Sequence, residues 1–417
     1  MMLHMLAGYD EQEFRVVLPK YFTPAQPVSK PDHLHGRHAK LKAIDRALSS
    51  PGKHVFIYGD RGIGKTSLAR TALQIHNKGS DFIPLVACEH QSDFYELVDS
   101  MRRQLTIQRN ENTLPNASLL DAPPTTNSGL ALPTMRSIND AVEALRAVAP
   151  PKGAPAVVIV DEFDQLHEDK DKKAFADLIK QLSDQEINLR LILCGIGRSL
   201  EELIGVHLST DRYLATVPLD QIPHDARWAI LEAACNHFKV SLDRDSMIRI
   251  GQISDGFPYY VHLIGEKIFW EIMDDPSEVS EMSLDHYQRG IKSAIEESQT
   301  SLRQAYELAT QKHGNSEDYE EVLWSVADGA LLQRQMTTIY EQSYLNVMGQ
   351  RPGRTPLTKE PFYQRMNKLK KENHGCVIIG TRQGWYGFKE NVVRGYVRLR
   401  AERAGVRIGV DHLRAGA

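Results

Sequence analysis

Hydrophobic positions along this chain follow two spacings, and the change from one to the other marks its organisation. Short apolar runs at 55–58, 82–88, 156–160, 189–194 and 213–219 read as strands. The run 156–160 has no polar position at all, as expected of a parallel strand buried on both faces. Between the runs the spacing turns helical. Leu41, Ile44, Ala47 and Leu48 share one side of a helix over 37–48, which the Ser-Ser-Pro-Gly turn at 49–52 ends. Further helices are predicted over 66–75, 92–105, 138–148 and 172–183. Strands alternating with helices predict an α/β domain whose parallel sheet is covered on both faces.

The flanks differ. Residues 1–35 read as extended, because Pro19, Pro24, Pro27 and Pro31 interrupt any helix. Residues 107–134, rich in Asn, Pro, Thr and Ser and without a period, predict a flexible insertion. From 223 to 298 the pattern is purely helical. Helices continue until a β signal at 376–379, a turn with Gly380 and Gly384, and a second β run at 385–388. Helices flanking such a hairpin suggest a winged helix. The expected division is therefore an extended 1–35, a core over 36–222, a helical lid over 223–298 and a winged-helix domain over 299–417.

The first apolar run leads into Gly59-Asp60-Arg61-Gly62-Ile63-Gly64-Lys65-Thr66, a complete G-x-x-x-x-G-K-[ST] pattern, with Ser67 next. Each residue type answers a need of phosphate chemistry. Glycines let backbone N–H groups wrap the phosphates of a nucleotide, and the following helix N-terminus adds its dipole. Lys65 supplies positive charge to the β- and γ-phosphates, and the Thr66 hydroxyl is placed to coordinate Mg2+. Further along, the run 156–160 ends in Asp161-Glu162. A carboxylate at the C-terminal end of a buried parallel strand faces the ligand crevice. Asp161 would complete the Mg2+ shell, and Glu162 would orient or deprotonate an attacking water. Asp164 reads as a solvated helix start. The fourth run ends at Cys194-Gly195-Ile196-Gly197-Arg198-Ser199, where either Arg198 or Ser199 is a candidate γ-phosphate sensor and an ordinary glycine-rich turn is the competing reading. ATP with Mg2+ is the ligand these residues predict.

Composition narrows the class. With 417 residues, 41% hydrophobic and 25% charged, the chain cannot be wholly disordered, collagenous or a disulfide-stapled mini-domain. At roughly 100–200 residues per domain it holds two or three domains. Cys88, Cys194, Cys235 and Cys376 lie far apart without zinc spacing and read as buried thiols of a reducing compartment. No stretch reaches the roughly 18 apolar residues that span a bilayer, and the N-terminus lacks a basic start and a sustained apolar core. These features predict a soluble, cytoplasmic protein with no membrane partner. Net charge is -4, yet residues 330–417 carry 16 Lys plus Arg against 6 Asp plus Glu, leaving 34 against 48 for the rest. The near-neutrality is a cancellation of an acidic core by a basic tail.

Gly36-Arg37 ahead of the loop, the loop itself, the Val157-to-Asp164 strand end, Gly256-Phe257-Pro258 and the winged-helix-like tail together resemble the AAA+ and STAND-type ATPases of the origin-recognition and archaeal-ATPase kind. The resemblance implies a P-loop NTPase core, a helical lid and a C-terminal winged helix. It implies that Gly36 and Arg37 help hold the adenine and that Pro258, opening a lid helix, contacts the base; a plain helix–helix turn is the alternative for 256–258. Initiator-type relatives carry a lid arginine that reaches the γ-phosphate. Here the stretch is Tyr259-Tyr260-Val261-His262, which favours the STAND-like side and makes His262 a packed or surface histidine. Arg212 is similar to an arginine of transposon-regulator ATPases that reaches a neighbouring subunit's nucleotide, which would make hydrolysis depend on a homo-oligomer. A surface salt bridge is the alternative.

In the tail, a helix over 359–371 places Arg365, Lys368 and Lys371 on one side, with Phe362, Met366 and Leu369 left for the core. A second basic helix spans 394–403. In a winged helix the first would enter the major groove, with Gln364 and Asn367 at base edges, while Arg382 in the hairpin turn would meet the backbone. The sequence thus predicts an ATPase switch acting on duplex DNA or a DNA-bound partner. The other reading is a STAND-type signalling or defence ATPase whose tail binds an effector protein.

Overall fold

The five apolar runs of the first half pair side by side as one parallel sheet. Its strands are β1 (His54–Gly59), β2 (Leu85–Ala87), β3 (Ala156–Asp161), β4 (Leu189–Gly195) and β5 (Leu214–Leu219), in the order β2-β3-β4-β1-β5. Val55 lies opposite Ile192 and Ala215, and Val158 opposite Leu191. In this computed structural model the described residues are 6, 8–28, 30–77, 82–113, 135–197, 212–310 and 315–409. They fall into two compact units, one of Pro27–Gly59 with Lys65–Asp220, the other of Met1–Gln26, Asp60–Gly64 and Gln221–Ala417.

In the first unit β4 is buried along its whole length and β3 from its second residue on, which is why their sequences read as nearly unbroken apolar runs. One layer of the core joins Val158, Val160, Leu191 and Leu193 to Phe94, Met101, Val142, Leu145, Phe175 and Ile179 from the covering helices. Those helices are Phe94–Thr113, Ile138–Val148 and Asp169–Asp184, and the second opens on a capping box between Ser137 and Asp140. The helix Phe94–Thr113 runs into the stretch read as a non-helical insertion, so that stretch begins later than its composition suggested. The remainder, 114–134, lies outside the described residues. Chain connections leaving β1 and β4 run in opposite directions, towards β2 and β5 respectively, which opens a crevice at their C-terminal ends.

In the second unit the N-terminal segment is not extended. Glu11–Val17 is a helix opened by an Asp10/Glu13 capping box, and Pro19, like Pro31 in the first unit, sits in the first turn of a short 3-10 helix, a position proline tolerates. Phe14 packs on Phe238 and Trp270 at 5.1 and 5.0 Å, so burial fixes what the prolines only punctuate. The helices His224–Phe238, Arg244–Ser254, Pro258–Met273 and Leu284–Glu297 follow, as the pattern over 223–298 predicted. Beyond them stand helices Thr300–Thr310, Ser316–Ala327, Lys359–Leu369 and Val392–Arg403 and an antiparallel sheet in the order β6-β8-β7, with β6 Gln333–Gln335, β7 Ile378–Arg382 and β8 Trp385–Phe388. This is a winged-helix-like arrangement. Among the described residues no helix is long and apolar enough to cross a membrane.

The helix Val392–Arg403 is not an exposed basic helix. Arg394 and Arg398 are buried, pairing with Asp255 at 3.2 and 3.0 Å, and Arg398 also donates to Ala327 O at 2.9 Å. Arg351, Arg354 and Arg365 pair with Glu317, Asp318 and Glu321, and Arg400 and Arg407 with Glu320 and Asp245. Much of the tail's positive charge is therefore met inside its own unit by acidic residues from before position 330.

One polar group sits inside the first unit's core. His54 is fully buried; its Nδ1 accepts the Leu191 N–H at 3.0 Å and its Nε2 lies 3.2 Å from Ser183 Oγ. Burial first, then nearby Arg190, pushes its pKa down to about 3. The folded value lies below the unfolded one of about 6.5, so the neutral ring stabilises fully above that pH and the benefit is lost as pH falls towards 3, by at most about 1.4 kcal/mol per pH unit. Denaturant titrations should show His54→Asn less stable than the parent at pH 7.5, with the gap narrowing between pH 6.5 and 4.

Candidate nucleotide-binding site

Because all five strands run parallel, Gly59, Asp161 and Gly195 emerge on one edge of the sheet, with β4 between β1 and β3. Across that edge Thr66 Oγ1 donates to Asp161 Oδ2 at 2.7 Å. Lys65 Nζ turns back over the loop and donates to Gly59 O at 3.1 Å. The Ser67 hydroxyl accepts the Val28 N–H at 3.1 Å, tying the preceding segment to the start of the helix Lys65–His76. Gly59 cannot be replaced freely, since a Cβ there would stand 2.5 Å from Leu219 O. The structure thus brings together Gly59, Lys65, Thr66, Ser67 and Asp161.

Glu162 follows Asp161 with an exposed side chain and a left-handed backbone, φ 54, and its N–H donates to Asp161 Oδ1 at 3.0 Å. Asp164 stands in the first turn of a 3-10 helix, Phe163–Gln165, as a helix start would, but it is half-buried and bonded to another strand's exit. Its Oδ1 accepts the Ile196 N–H at 2.7 Å, binding the turn after β3 to the exit of β4. No local pattern could announce that partner, which is distant in sequence. Cys88, buried and facing Asp161, Asp164 and Glu162, has its thiol pushed up to about 12, chiefly by desolvation and then by these carboxylates. Arg198 and Ser199 lie outside the described residues.

Gly36 has φ +71, and Arg37 beside it is buried, with Nη2 donating to Asp220 O at 2.5 Å. Burial lowers its pKa to about 10. What its guanidinium does directly is anchor this segment to the chain leaving β5. Arg212 stacks on Tyr213 at 4.5 Å and pairs with Asp184 at 3.7 Å, with its side chain 68% exposed. It stands at the N-terminal end of β5, a strand of roughly 20 Å away from the edge that carries the loop. It therefore cannot serve the nucleotide of its own sheet.

The loop tip Asp60–Gly64 clusters with the second unit. There Asn391 Nδ2 donates to Asp60 Oδ2 at 2.8 Å, Arg61 pairs with Glu390 at 3.8 Å, and a Cβ on Gly62 would meet Val392 at 3.2 Å. Ile63 is buried. Pro258 opens its helix behind Gly256, where a Cβ would lie 2.5 Å from the Gln221 Cβ, so the turn needs its glycine for packing whatever the proline touches. His262 is buried and accepts the Thr23 N–H on Nδ1 at 3.3 Å, a packed histidine.

On the C-terminal elements Gln364, Asn367, Lys368, Lys370, Lys371 and Arg382 are exposed. Lys370 lies over Tyr386 at 5.2 Å and Arg382 over Trp385 at 3.7 Å. Arg365 does not join them. Held by Asp318 at 3.1 Å and lying over Tyr319, it is a packing residue, which corrects its assignment as a DNA contact.

Residues 48–204 match the family described as an AAA domain. None of the curated protein sequences matches the chain. Among solved structures the fold is similar to that of the Walker-type ATPase PABY2304 of Pyrococcus abyssi, 17% identical, with 90% of this chain and 99% of that one covered and a TM-score of 0.55. The ORC1 protein of Aeropyrum pernix in complex with DNA is 16% identical over 90% and 94% of the two chains, with a TM-score of 0.45. Cdc6p from Pyrobaculum aerophilum is 14% identical over 92% and 98%, also at 0.45. Residues 48–204 thus carry an AAA domain, and the parallel sheet that holds them has the P-loop NTPase fold.

Two substitutions separate folding from binding. Gly59→Ala should cost about 2–3 kcal/mol of stability through the backbone clash at Leu219, read as a lower denaturation midpoint. Lys65→Ala should unfold like the parent while weakening a non-hydrolysable ATP analogue by about tenfold or more in calorimetry.

Proposed function

We propose that this ATPase is a switch whose hydrolytic centre is Lys65, Thr66, Asp161 and Glu162 and whose output is duplex DNA binding by its winged-helix-like elements. The Thr66–Asp161 pair carries the first half of the reading: a hydroxyl and a carboxylate oxygen 2.7 Å apart are a donor set that suits a small hard cation such as Mg2+. Bound there, Mg2+ would neutralise charge on the β- and γ-phosphates. Lys65 binds the same phosphates. Glu162 orients the water that attacks the γ-phosphorus and takes its proton; the bond to the β–γ bridging oxygen breaks, and ADP and phosphate leave.

The exposed cluster Lys368, Lys370, Lys371 and Arg382, with Gln364 and Asn367 beside it, supports DNA over an effector protein, because it offers charge for phosphates rather than an apolar surface. The loop tip is held at Asp60 and Arg61 by Asn391 and Glu390, just ahead of the helix Val392–Arg403, which supports a link between loop position and the C-terminal elements. Placed away from its own crevice, Arg212 fits a role in a neighbouring copy, and with it a homo-oligomer.

Glu162→Gln should keep ATP affinity and lower turnover by about a hundredfold or more; unchanged turnover would remove it from the mechanism. Duplex DNA affinity should fall steeply with salt. Replacing Lys368, Lys371 and Arg382 together by Ala should flatten the slope of log K against log salt by about 2–3. An unaltered slope would show that other groups meet the DNA, and no DNA affinity at low salt would favour the effector-protein reading.

A further inference from the structure

Asp164 belongs to no phosphate-loop pattern, yet among the described residues it stands where the ends of β3 and β4 have lost their ladder. Strands β3 and β4 pair only as far as Val160 and Leu193, while on the other edge of β3 the pairing with β2 continues one residue further, to Asp161 and Ala87. Past that point the chains leaving β3 and β4 have no ladder between them, and the Asp164–Ile196 hydrogen bond of 2.7 Å spans the gap. The turn that presents Asp164 is itself over-determined. Glu162 is left-handed at φ 54, a conformation that residues with side chains keep only where their surroundings hold it. Gln165 N–H closes a 3-10 turn on Glu162 O at 2.8 Å, and Phe163 is buried against Phe175 at 5.2 Å. Phe163 fixes the turn to the core, and Asp164 fixes the exit of β4 to the turn.

We propose that Asp164 is a positioning residue for hydrolysis: by accepting the Ile196 N–H it sets the distance between the Glu162 carboxylate and the backbone at 195–197, the two walls between which the γ-phosphate and its water must fit. The inference rests on Glu162 acting as proposed above. It also makes a chemical distinction. What this role needs is an acceptor oxygen at that point, so Asn serves where Ala does not. A role as a charge or as a metal ligand would need the carboxylate itself.

The test compares Asp164→Ala, Asp164→Asn and Glu162→Gln in the full chain, reading kcat and KM for ATP, affinity for a non-hydrolysable ATP analogue with Mg2+, and melting temperature. Asp164→Ala should lower kcat by about tenfold or more, as expected when a reacting group is displaced. Its KM, analogue affinity and melting temperature should stay near the parent's, and Asp164→Asn should recover at least about half of kcat, since it restores the acceptor. If Asp164→Ala fails to fold, Asp164→Ser, whose shorter hydroxyl misses the Ile196 amide, replaces it with the same expectations. Parental kcat in the Ala variant overturns the proposal. So does an Asn variant as slow as Ala, or a parallel fall of affinity and melting temperature. Full turnover in Glu162→Gln would instead overturn the Glu162 reading on which the proposal stands, so the two failures are told apart.

Discussion

The hydrogen bond from Thr66 to Asp161 is possible only because β4 is inserted between β1 and β3 in a sheet whose strands all run one way. Parallel pairing puts every strand's C-terminal end on the same edge, so a loop after β1 and a carboxylate ending β3 must face one crevice. That edge is also where the backbone departs from ordinary geometry. Gly59 passes too close to Leu219 to carry a side chain, and Glu162 turns left-handed directly after the carboxylate. The apolar interior of β3 and β4 holds these features in place, because neither strand can shift its register without exposing the residues packed on its two faces.

Charge in the second unit is organised by the same logic of burial. Arg394 and Arg398 are taken out of water and answered by Asp255, which itself ends the helix Arg244–Ser254 in a left-handed conformation. Buried pairs of this kind are costly to break once formed, since removing one partner strands the other charge. They join the helix Val392–Arg403 to the end of the helix Arg244–Ser254. Exposed positive charge includes Lys368, Lys370 and Lys371 about the end of the helix Lys359–Leu369 and Arg382 at the end of β7, where Lys370 and Arg382 lie over aromatic rings. A cation resting on a ring keeps its charge exposed while losing some of its freedom, which suits a contact to phosphate.

Several parts of this arrangement could be read in advance, and the reasons are local. A phosphate loop is short, and its glycines, lysine and threonine act through their own backbone and immediate geometry, so Gly59 to Ser67 were identifiable without the fold. The apolar runs of β3 and β4 and the helix Ile138–Val148 were equally plain, because burial on two faces or on one stripe leaves a period in the sequence. The N-terminal helix carries a local signal in its Asp10/Glu13 capping box, which the prolines after it mask by pointing to extended chain. The helix Phe94–Thr113 runs on into polar residues, because composition alone ends no helix.

What the sequence determined by itself was therefore the pattern: a phosphate-loop sequence running through Lys65 and Thr66, a carboxylate pair at Asp161 and Glu162, and a parallel sheet to carry them. Only the tertiary structure decided which charges are free and which are spent. Arg365, Arg394 and Arg398 look like surface cations in the sequence and are held by Asp318 and Asp255, while Asp164 looks solvated and joins two strand ends. The physical reason is range. A loop or an amphipathic stripe is written in neighbouring residues, whereas the partner of a charge or an acceptor can lie anywhere along the chain, and only folding brings the two together.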